Sequence, residues 1–217
     1  MALVIAVVGQ KGGCAKSTTA RMIGREYANA EWAVKIADLD TNQCTSYDWH
    51  LRRLQHAITP DIAVERFRTI EAALKTAEHY DLLVVDGKPH SSAETLRMAE
   101  PATLTILPSG VSFEDLKPQV LLAHELTGKG IAARKLAFVL ARTGDSEVEI
   151  NEARAYITQA GYQVLEGSIP ERSAYRRANE EGRTVSETRF ASLNDRAVQV
   201  AQGIVDLAAA LQKAKVA

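Results

Sequence analysis

The chain alternates between two hydrophobic periods. Leu3–Val8 is a continuous apolar run that stops at Gly9, the pattern of a strand buried on both faces. Lys16–Asn29 switches to helical spacing. Short apolar runs at Ala33–Ala37, Leu82–Val85, Thr103–Leu107, Leu136–Leu140 and Tyr162–Ile169 predict further strands. Helical spacing over Tyr47–Ala57, Ile70–Glu78, Phe113–Leu126, Glu147–Gln159, Arg172–Glu181 and Leu193–Lys213 predicts the helices between and after them. Strands separated by helices imply βαβ crossovers, and so an α/β fold with a mostly parallel central sheet flanked by helices on both faces. Ligands of such sheets bind beyond the carboxyl ends of the strands. The loops after Val8, Ala37 and Val85 are therefore where chemistry is expected.

The first loop reads Gly9-Gln10-Lys11-Gly12-Gly13-Cys14-Ala15-Lys16-Ser17-Thr18-Thr19. It follows a strand and opens a helix, the context of a phosphate loop. Small residues let successive N–H groups wrap a polyphosphate. A lysine reaches the β and γ oxygens, and a hydroxyl serves magnesium. The helix N-terminus adds its positive end. Lys16 and Ser17 fill the lysine and hydroxyl roles. The common GxxxxGK[ST] spacing is broken, because Gln10 and Ala15 stand at its two glycine positions. Ala15 suits the loop only if its φ is negative or the left-handed cost is absorbed.

A second lysine, Lys11, replaces the missing pattern. Lys11-Gly12-Gly13-Cys14-Ala15-Lys16-Ser17-Thr18 resembles the deviant Walker A motif, KGGxxK[ST], of the ParA/MinD family of ATPases, which have a P-loop fold. The resemblance implies ATP and Mg2+ as ligands. It places Gly12, Gly13, Cys14, Ala15, Lys16, Ser17 and Thr18 on the nucleotide, and it implies that Lys11 crosses a dimer to the partner's nucleotide. Cys14 lies where the helix terminus favours a thiolate, but the family accepts many residues there, and a small filler is the expectation.

Two more loops match in order. Asp38-Leu39-Asp40-Thr41-Asn42-Gln43 resembles the family's DxDPQ switch, which implies that Asp40 orients the attacking water beside Lys11 and Lys16 in catalysis. Taken alone, the two aspartates fit equally a helix cap or a surface pair. Leu82-Leu83-Val84-Val85-Asp86 resembles a Walker B strand, with Asp86 joining Ser17 at the metal; the alternative is a cap for a helix over 91–99. Gly87-Lys88-Pro89 departs from the family's Asp-Thr-Pro-Pro. Near the C-terminus, Ser168-Ile169-Pro170-Glu171-Arg172 with Tyr175, Gly182 and Val185 resembles the segment that passes over the adenine, and Pro170 is assigned to that pocket.

Length and charge narrow the reading. At roughly 150 residues per domain, 217 residues are read as one P-loop ATPase domain, 1–217. The formal charge is −1, so binding of nucleic acid or anionic lipid requires a local patch. Six arginines between Arg172 and Arg196 are nearly matched by Glu171, Glu180, Glu181, Glu187 and Asp195; Arg176 and Arg177 are the trial DNA contacts. Two cysteines, Cys14 and Cys44, make no disulfide framework and imply a reduced, cytoplasmic setting. The six-residue apolar start is too short to span a membrane. Tyr47, Trp49 and Leu51 read as a packing patch.

The resemblance is closest to the small ParA partition ATPases, which lack an N-terminal helix-turn-helix. It implies an ATP-dependent homodimer on non-specific nucleoid DNA. Hydrolysis, weak alone, would be stimulated by DNA and by a ParB-like centromere-binding or cargo adaptor protein. The cycle would drive plasmid or chromosome partition or cargo positioning. The alternative is a MinD-like positioning ATPase at a membrane. That reading needs bulky apolar residues opposite lysines in the last helix, and the tail from Asp206 holds only Leu207, Leu211 and alanines with few others. An electron-transfer ATPase needs cluster cysteines that Cys44 alone does not supply.

Overall fold

The apolar runs become the strands of one eight-stranded sheet in a computed structural model that describes residues 2–40, 45–88 and 92–216. The strands are β1 (Leu3–Val7), β2 (Val34–Asp38), β3 (Ala63–Arg66), β4 (Leu82–Asp86), β5 (Leu104–Ser109), β6 (Leu136–Thr143), β7 (Gln163–Val164) and β8 (Ile169–Pro170). The order is β3-β2-β4-β1-β5-β6-β7, with β8 also on β6, and every pair is parallel. The helices are α1 (Lys16–Asn29), α2 (Thr45–Gln55), α3 (Ile70–Leu74), α4 (Ser92–Ala99), α5 (Phe113–Gly128), α6 (Glu147–Gln159), α7 (Ser173–Glu180) and α8 (Ala191–Val216).

The period of two divides the strands between two cores. Leu3, Ile5 and Val7 face one cluster with α1 and α8; Val4, Ala6 and Val8 face another that includes Met98, Leu116, Val120 and Ile150. Strands buried on both sides have no polar face, which is why they read as unbroken apolar runs. α8 docks through Ala197, Val200, Ala201, Ile204 and Ala208, all buried, with Leu207 and Leu211 partly buried against the same core. No described helix is long and apolar enough to cross a membrane.

Four expectations change. β3 was not expected, because Ala63-Val64-Glu65-Arg66 is short and half charged; it is an edge strand paired only with β2, where charge suits an open edge. The expected strand over Tyr162–Ile169 is two short strands that both pair with β6. Ile70–Glu78 is the short α3 followed by a 3₁₀ turn at Ala77–His79. β6 runs three residues past Leu140, to Thr143. The switch residues Thr41, Asn42, Gln43 and Cys44, and also Pro89 and Ser91, lie outside the described residues.

α2 is anchored from behind by a buried ion pair. Arg53 is 1% exposed and forks onto Glu187 at 2.9 and 3.0 Å, while also donating to the Gly182 and Pro60 carbonyls. Trp49 is fully buried beside it, between Arg53 and Arg21, and donates Nε1–H to the Arg183 carbonyl at 2.9 Å. The packing patch thus holds for Trp49, whereas Leu51 stays exposed. Gly182 sits at φ 79°, and a Cβ there would come within 2.3 Å of the Arg53 nitrogen. α2 and the 182–187 segment therefore lock together, and both flank the site described next.

Burial would raise the Glu187 carboxyl, but the Arg53 hydrogen bonds and the Thr184 N–H and hydroxyl hold it below its ordinary range. Its stabilising effect is therefore full above its unfolded pKa near 4.5 and is lost as pH falls through the lower folded value. Glu187→Ala strands the Arg53 guanidinium in the interior and should cost about 3–5 kcal/mol in urea denaturation at neutral pH. A loss near zero would contradict the anchor.

Candidate functional site

The loop between β1 and α1 is held in shape before any ligand is considered. Gly13 has φ 78° and Ala15 has φ 68°. Ala15 thus takes the left-handed conformation, at a cost of about 1–2 kcal/mol for a residue with a Cβ. The Ala15 carbonyl accepts the Thr19 N–H at 2.9 Å and starts α1. Lys16 is buried, and its Nζ donates to the Lys11 carbonyl at 2.8 Å across the loop. Cys14 packs beneath, where a Cβ on Gly9 would meet its Sγ at 2.8 Å. Burial raises the Cys14 thiol, outweighing Lys16; the residue fills space, as expected.

Buried Gln119 of α5 ties the loop's first residues to the sheet. Its Oε1 accepts the Gln10 N–H at 3.0 Å, and its Nε2 donates to the carbonyls of Pro108 and Val8. One side chain thus satisfies three backbone groups where β1 and β5 end.

Two carboxylates meet behind the loop. Parallel register sets Asp38 of β2 directly beside Asp86 of β4, and both are buried. Asp38 caps α2: its Oδ2 accepts the N–H groups of Ser46 and Tyr47 at 3.0 Å each, and its Oδ1 accepts the Asp40 N–H at 3.0 Å. Burial nevertheless leaves its carboxyl raised. Asp86 accepts the Ser46 hydroxyl at 2.7 Å on Oδ2, while its buried Oδ1 has no hydrogen-bond partner. Burial first, and Asp38 second, push Asp86 up to about 6. Arg21 supplies the countercharge from α1. Its Nε donates to the Ser46 hydroxyl at 3.1 Å, and burial lowers its pKa to about 10. The two aspartates of the first switch therefore differ in kind. Asp38 is a cap, and Asp40 lines the open cavity.

That cavity measures about 400 Å³. Its floor is Gly12, Gly13, Ala15, Lys16, Ser17 and Thr18; its far wall is Ile169, Pro170, Tyr175, Asn179 and Val185. A Cβ on Gly12 would meet nothing within 4 Å. The Ser17 hydroxyl is 2.8 Å from that of Thr45. Pro170 is buried in β8 and lies in that wall. Lys11 does not line the cavity. It is half exposed, and its Nζ contacts the Glu114 carbonyl and lies 3.4 Å from Asp115 of α5. Of the trial DNA contacts, Arg176 lines both the cavity, where it pairs with Glu171, and an outer groove, whereas Arg177 lines the groove and not the cavity, with Arg183, Arg189 and Phe190 beside Glu180 and Glu181.

A model for the CobQ/CobB/MinD/ParA nucleotide binding domain matches residues 5–185. The chain belongs to that family. Among known proteins, maintenance of carboxysome distribution protein A of Gloeobacter kilaueensis is 28% identical over 189 residues, 86% of this chain and 85% of its own length. Protein ParA of Rhizobium radiobacter is 24% identical over 181 residues, 79% and 80% of the two chains. The septum site-determining protein MinD of Pyrococcus horikoshii, solved with Mg-ADP, superimposes with TM-score 0.77 at 16% identity over 97% of this chain and 99% of its own. Cell division ATPase MinD of Pyrococcus furiosus gives TM-score 0.74 at 17% identity, over 95% and 100%. These likenesses establish the MinD-like α/β fold.

The residues present fit a magnesium nucleotide of this family. Gly12 leaves room, Lys16 is already aimed into the loop, and the unpartnered Asp86 oxygen lies behind Ser17 in need of a ligand. Four contributors escaped sequence reading. Arg21 and Gln119 carry no local signal, and Ser46 carries none for its role beside Asp86; only the sheet brings them to the site. Arg142 had one, since a residue at the carboxyl end of a buried strand falls under the same rule as Val8 and Val85, but β6 was expected to end at Leu140.

The raised Asp86 makes a prediction about the nucleotide-free protein. A carboxyl raised in the fold gives stability that is full below its unfolded value of 3.8 and is lost as pH rises through about 6. Asp86→Asn should therefore be more stable than wild type at pH 7.5, by an amount on the order of 3 kcal/mol, and the difference should vanish near pH 4. A variant that melts lower at pH 7.5 would contradict the uncompensated carboxylate.

Proposed function

We propose that the chain is a ParA/MinD-type ATPase that couples ATP hydrolysis to partition or cargo positioning. ATP is the substrate and Mg2+ the cofactor. The observation that carries this reading is the two-lysine loop: Lys16 is folded into the cavity and Lys11 is turned out of it. Within one chain the second lysine ties the loop to α5 through the Glu114 carbonyl and Asp115. In a dimer that exchanges lysines across its interface its charge would serve the partner's phosphates. The continuous sheet favours one domain over 1–217.

Magnesium, when bound, would neutralise charge on the β and γ phosphates. Ser17 and Asp86 would hold it, Asp86 carrying a buried oxygen with no hydrogen-bond partner. Gly12, Gly13, Cys14, Ala15 and Thr18 present backbone N–H groups to the phosphates, with Lys16 among them. Pro170 bounds the base. Asp40, which lines the cavity, orients the attacking water. Lys11 from a second copy completes the charge around the phosphates, as an arginine finger does in trans.

The ATP-bound dimer binds DNA without sequence preference, and a ParB-like or adaptor protein triggers turnover. The protein is then cytoplasmic and nucleoid-associated. Arg177 and Arg189 are the better trial contacts than Arg176, because they line the outer groove and not the nucleotide cavity. Membrane attachment is disfavoured by α8, whose Leu207 and Leu211 pack on the core.

Three variants separate the roles. Lys16→Ala should lose ATP binding in a nucleotide titration. Asp40→Ala should bind ATP, turn it over poorly and accumulate as a dimer in sedimentation, since water orientation matters most in the transition state. Lys11→Ala should bind ATP as a monomer and lose turnover. A monomeric Asp40→Ala protein with normal turnover would refute the water-orienting role. For DNA, Arg177→Ala with Arg189→Ala should weaken binding equally for all sequences and, with two copies of each in the dimer, flatten the log–log salt slope by about 4. An unchanged slope would move the DNA surface elsewhere, and recovery on anionic vesicles without any DNA shift would favour the membrane alternative.

A further inference from the structure

One wall of the cavity carries an arrangement of charge that neither the phosphate loop nor the buried aspartates require. β6 bulges between its pairings Ala141↔Ile169 and Thr143↔Pro170. Arg142 sits in the bulge at φ 57°, a left-handed conformation that is unfavourable for a residue with a Cβ and that concentrates at functional sites. Bulges re-aim side chains, and this one turns Arg142 to the phosphate loop. Its Nη1 donates to the Gly13 carbonyl at 2.7 Å, and its Nε donates to Glu171 Oε2 at 2.9 Å. The other Glu171 oxygen accepts from Arg176 of α7.

Glu171 therefore holds two guanidiniums, and all three groups line the cavity. Among the described residues, Asp40 is the only other carboxylate in its lining, against Lys16, Arg21, Arg142, Arg172 and Arg176. Arg172 is turned to Asp145, outside the lining. Glu171 is half exposed, and so are both of its arginines. Nothing locks the trio by burial.

We propose that Glu171 is an internal stand-in for the nucleotide's phosphates. Incoming phosphates displace it, and Arg142, already against the loop at Gly13, and Arg176 of α7 close on them. The inference rests on the cavity being the nucleotide site, as proposed above. Carboxylate and phosphate both satisfy the guanidinium fork, and the phosphate chain brings more charge to it. Glu171 is exposed enough to return to water when displaced. Arg142 keeps the Gly13 carbonyl through Nη1 and offers its remaining N–H groups to the ligand, which a lysine cannot do at once. Glu171 is thus a competitor that sets affinity, and Arg142 links loop shape to nucleotide binding.

The test is ATP and ADP affinity of the full chain at fixed salt. Glu171→Gln removes the competing charge and should tighten both nucleotides by roughly three- to fivefold. Arg142→Ala and Arg176→Ala should each weaken them by about tenfold. Arg142→Lys should recover only part of the loss. A Glu171→Gln protein that binds no tighter than wild type overturns the proposal. Lys16→Ala distinguishes the two readings. If it loses binding while Glu171→Gln changes nothing, the stand-in fails and the nucleotide site stands; if it binds as tightly as wild type, the site reading itself falls. Salt gives a second readout should Glu171→Gln fold poorly. Wild-type affinity should fall more steeply with NaCl than that of Arg142→Ala, and equal dependence would also overturn the proposal.

Discussion

Two carboxylates set side by side at the end of a buried parallel sheet are the constraint from which the rest of the site follows. The β2–β4 register fixes Asp38 beside Asp86, and neither can be solvated. Asp38 is satisfied by the start of α2, whose N–H groups point at it, an arrangement favoured at a helix N-terminus. Asp86 receives the Ser46 hydroxyl at 2.7 Å, with the Ser17 hydroxyl also beside it. Ser46 is in turn oriented by Arg21, and Arg21 is held beneath Trp49. The positions of α1, α2 and the first switch thus answer one electrostatic problem. It is solved incompletely, because Asp86 keeps one unpartnered oxygen. A cation at that point would complete it.

The same logic extends outward. A loop that must offer N–H groups to a ligand cannot use them for itself, so its shape has to come from elsewhere. Gln119 supplies it on one side and Arg142 on the other, each bonding loop backbone groups from a different element. Ala15 keeps a left-handed backbone at the head of α1, and strain of this kind persists where surrounding contacts over-determine it. Farther back, Arg53 and Glu187 hold α2 against the segment that walls the cavity. A change at that distance would be felt at the site through α2.

How much of this was legible in the sequence depended on whether the information was local. Leu3–Val8, Leu82–Val85 and the glycine-rich loop announce themselves through composition and period, so the strands, α1 and the floor of the cavity were all expected. Asp40 and Asp86 sit where strands end, but their roles came from the resemblance of their loops to the family's switch and Walker B motifs. The division of labour between Asp38 and Asp40 was not readable, since either could cap a helix, and only the register shows that Asp38 does. β3 was missed because an edge strand with alternating charge has no apolar run to betray it. Gln119 and Arg21 lie mid-helix, where their partners are remote in sequence. Arg142 was hidden by a strand that runs three residues beyond Leu140, where it was expected to end, through a bulge that periodicity does not encode.

The central claim is that the unsatisfied Asp86 oxygen and the Ser17 hydroxyl complete a magnesium site under the phosphate loop. Calorimetric titration of the full chain with ATP in excess Mg2+, and again in excess EDTA, tests it most directly. The account predicts ATP affinity at least tenfold higher with Mg2+ in wild type, and no such gain in a Ser17→Ala, Asp86→Asn double variant. Equal affinity for ATP with and without Mg2+ in the wild-type protein would contradict it.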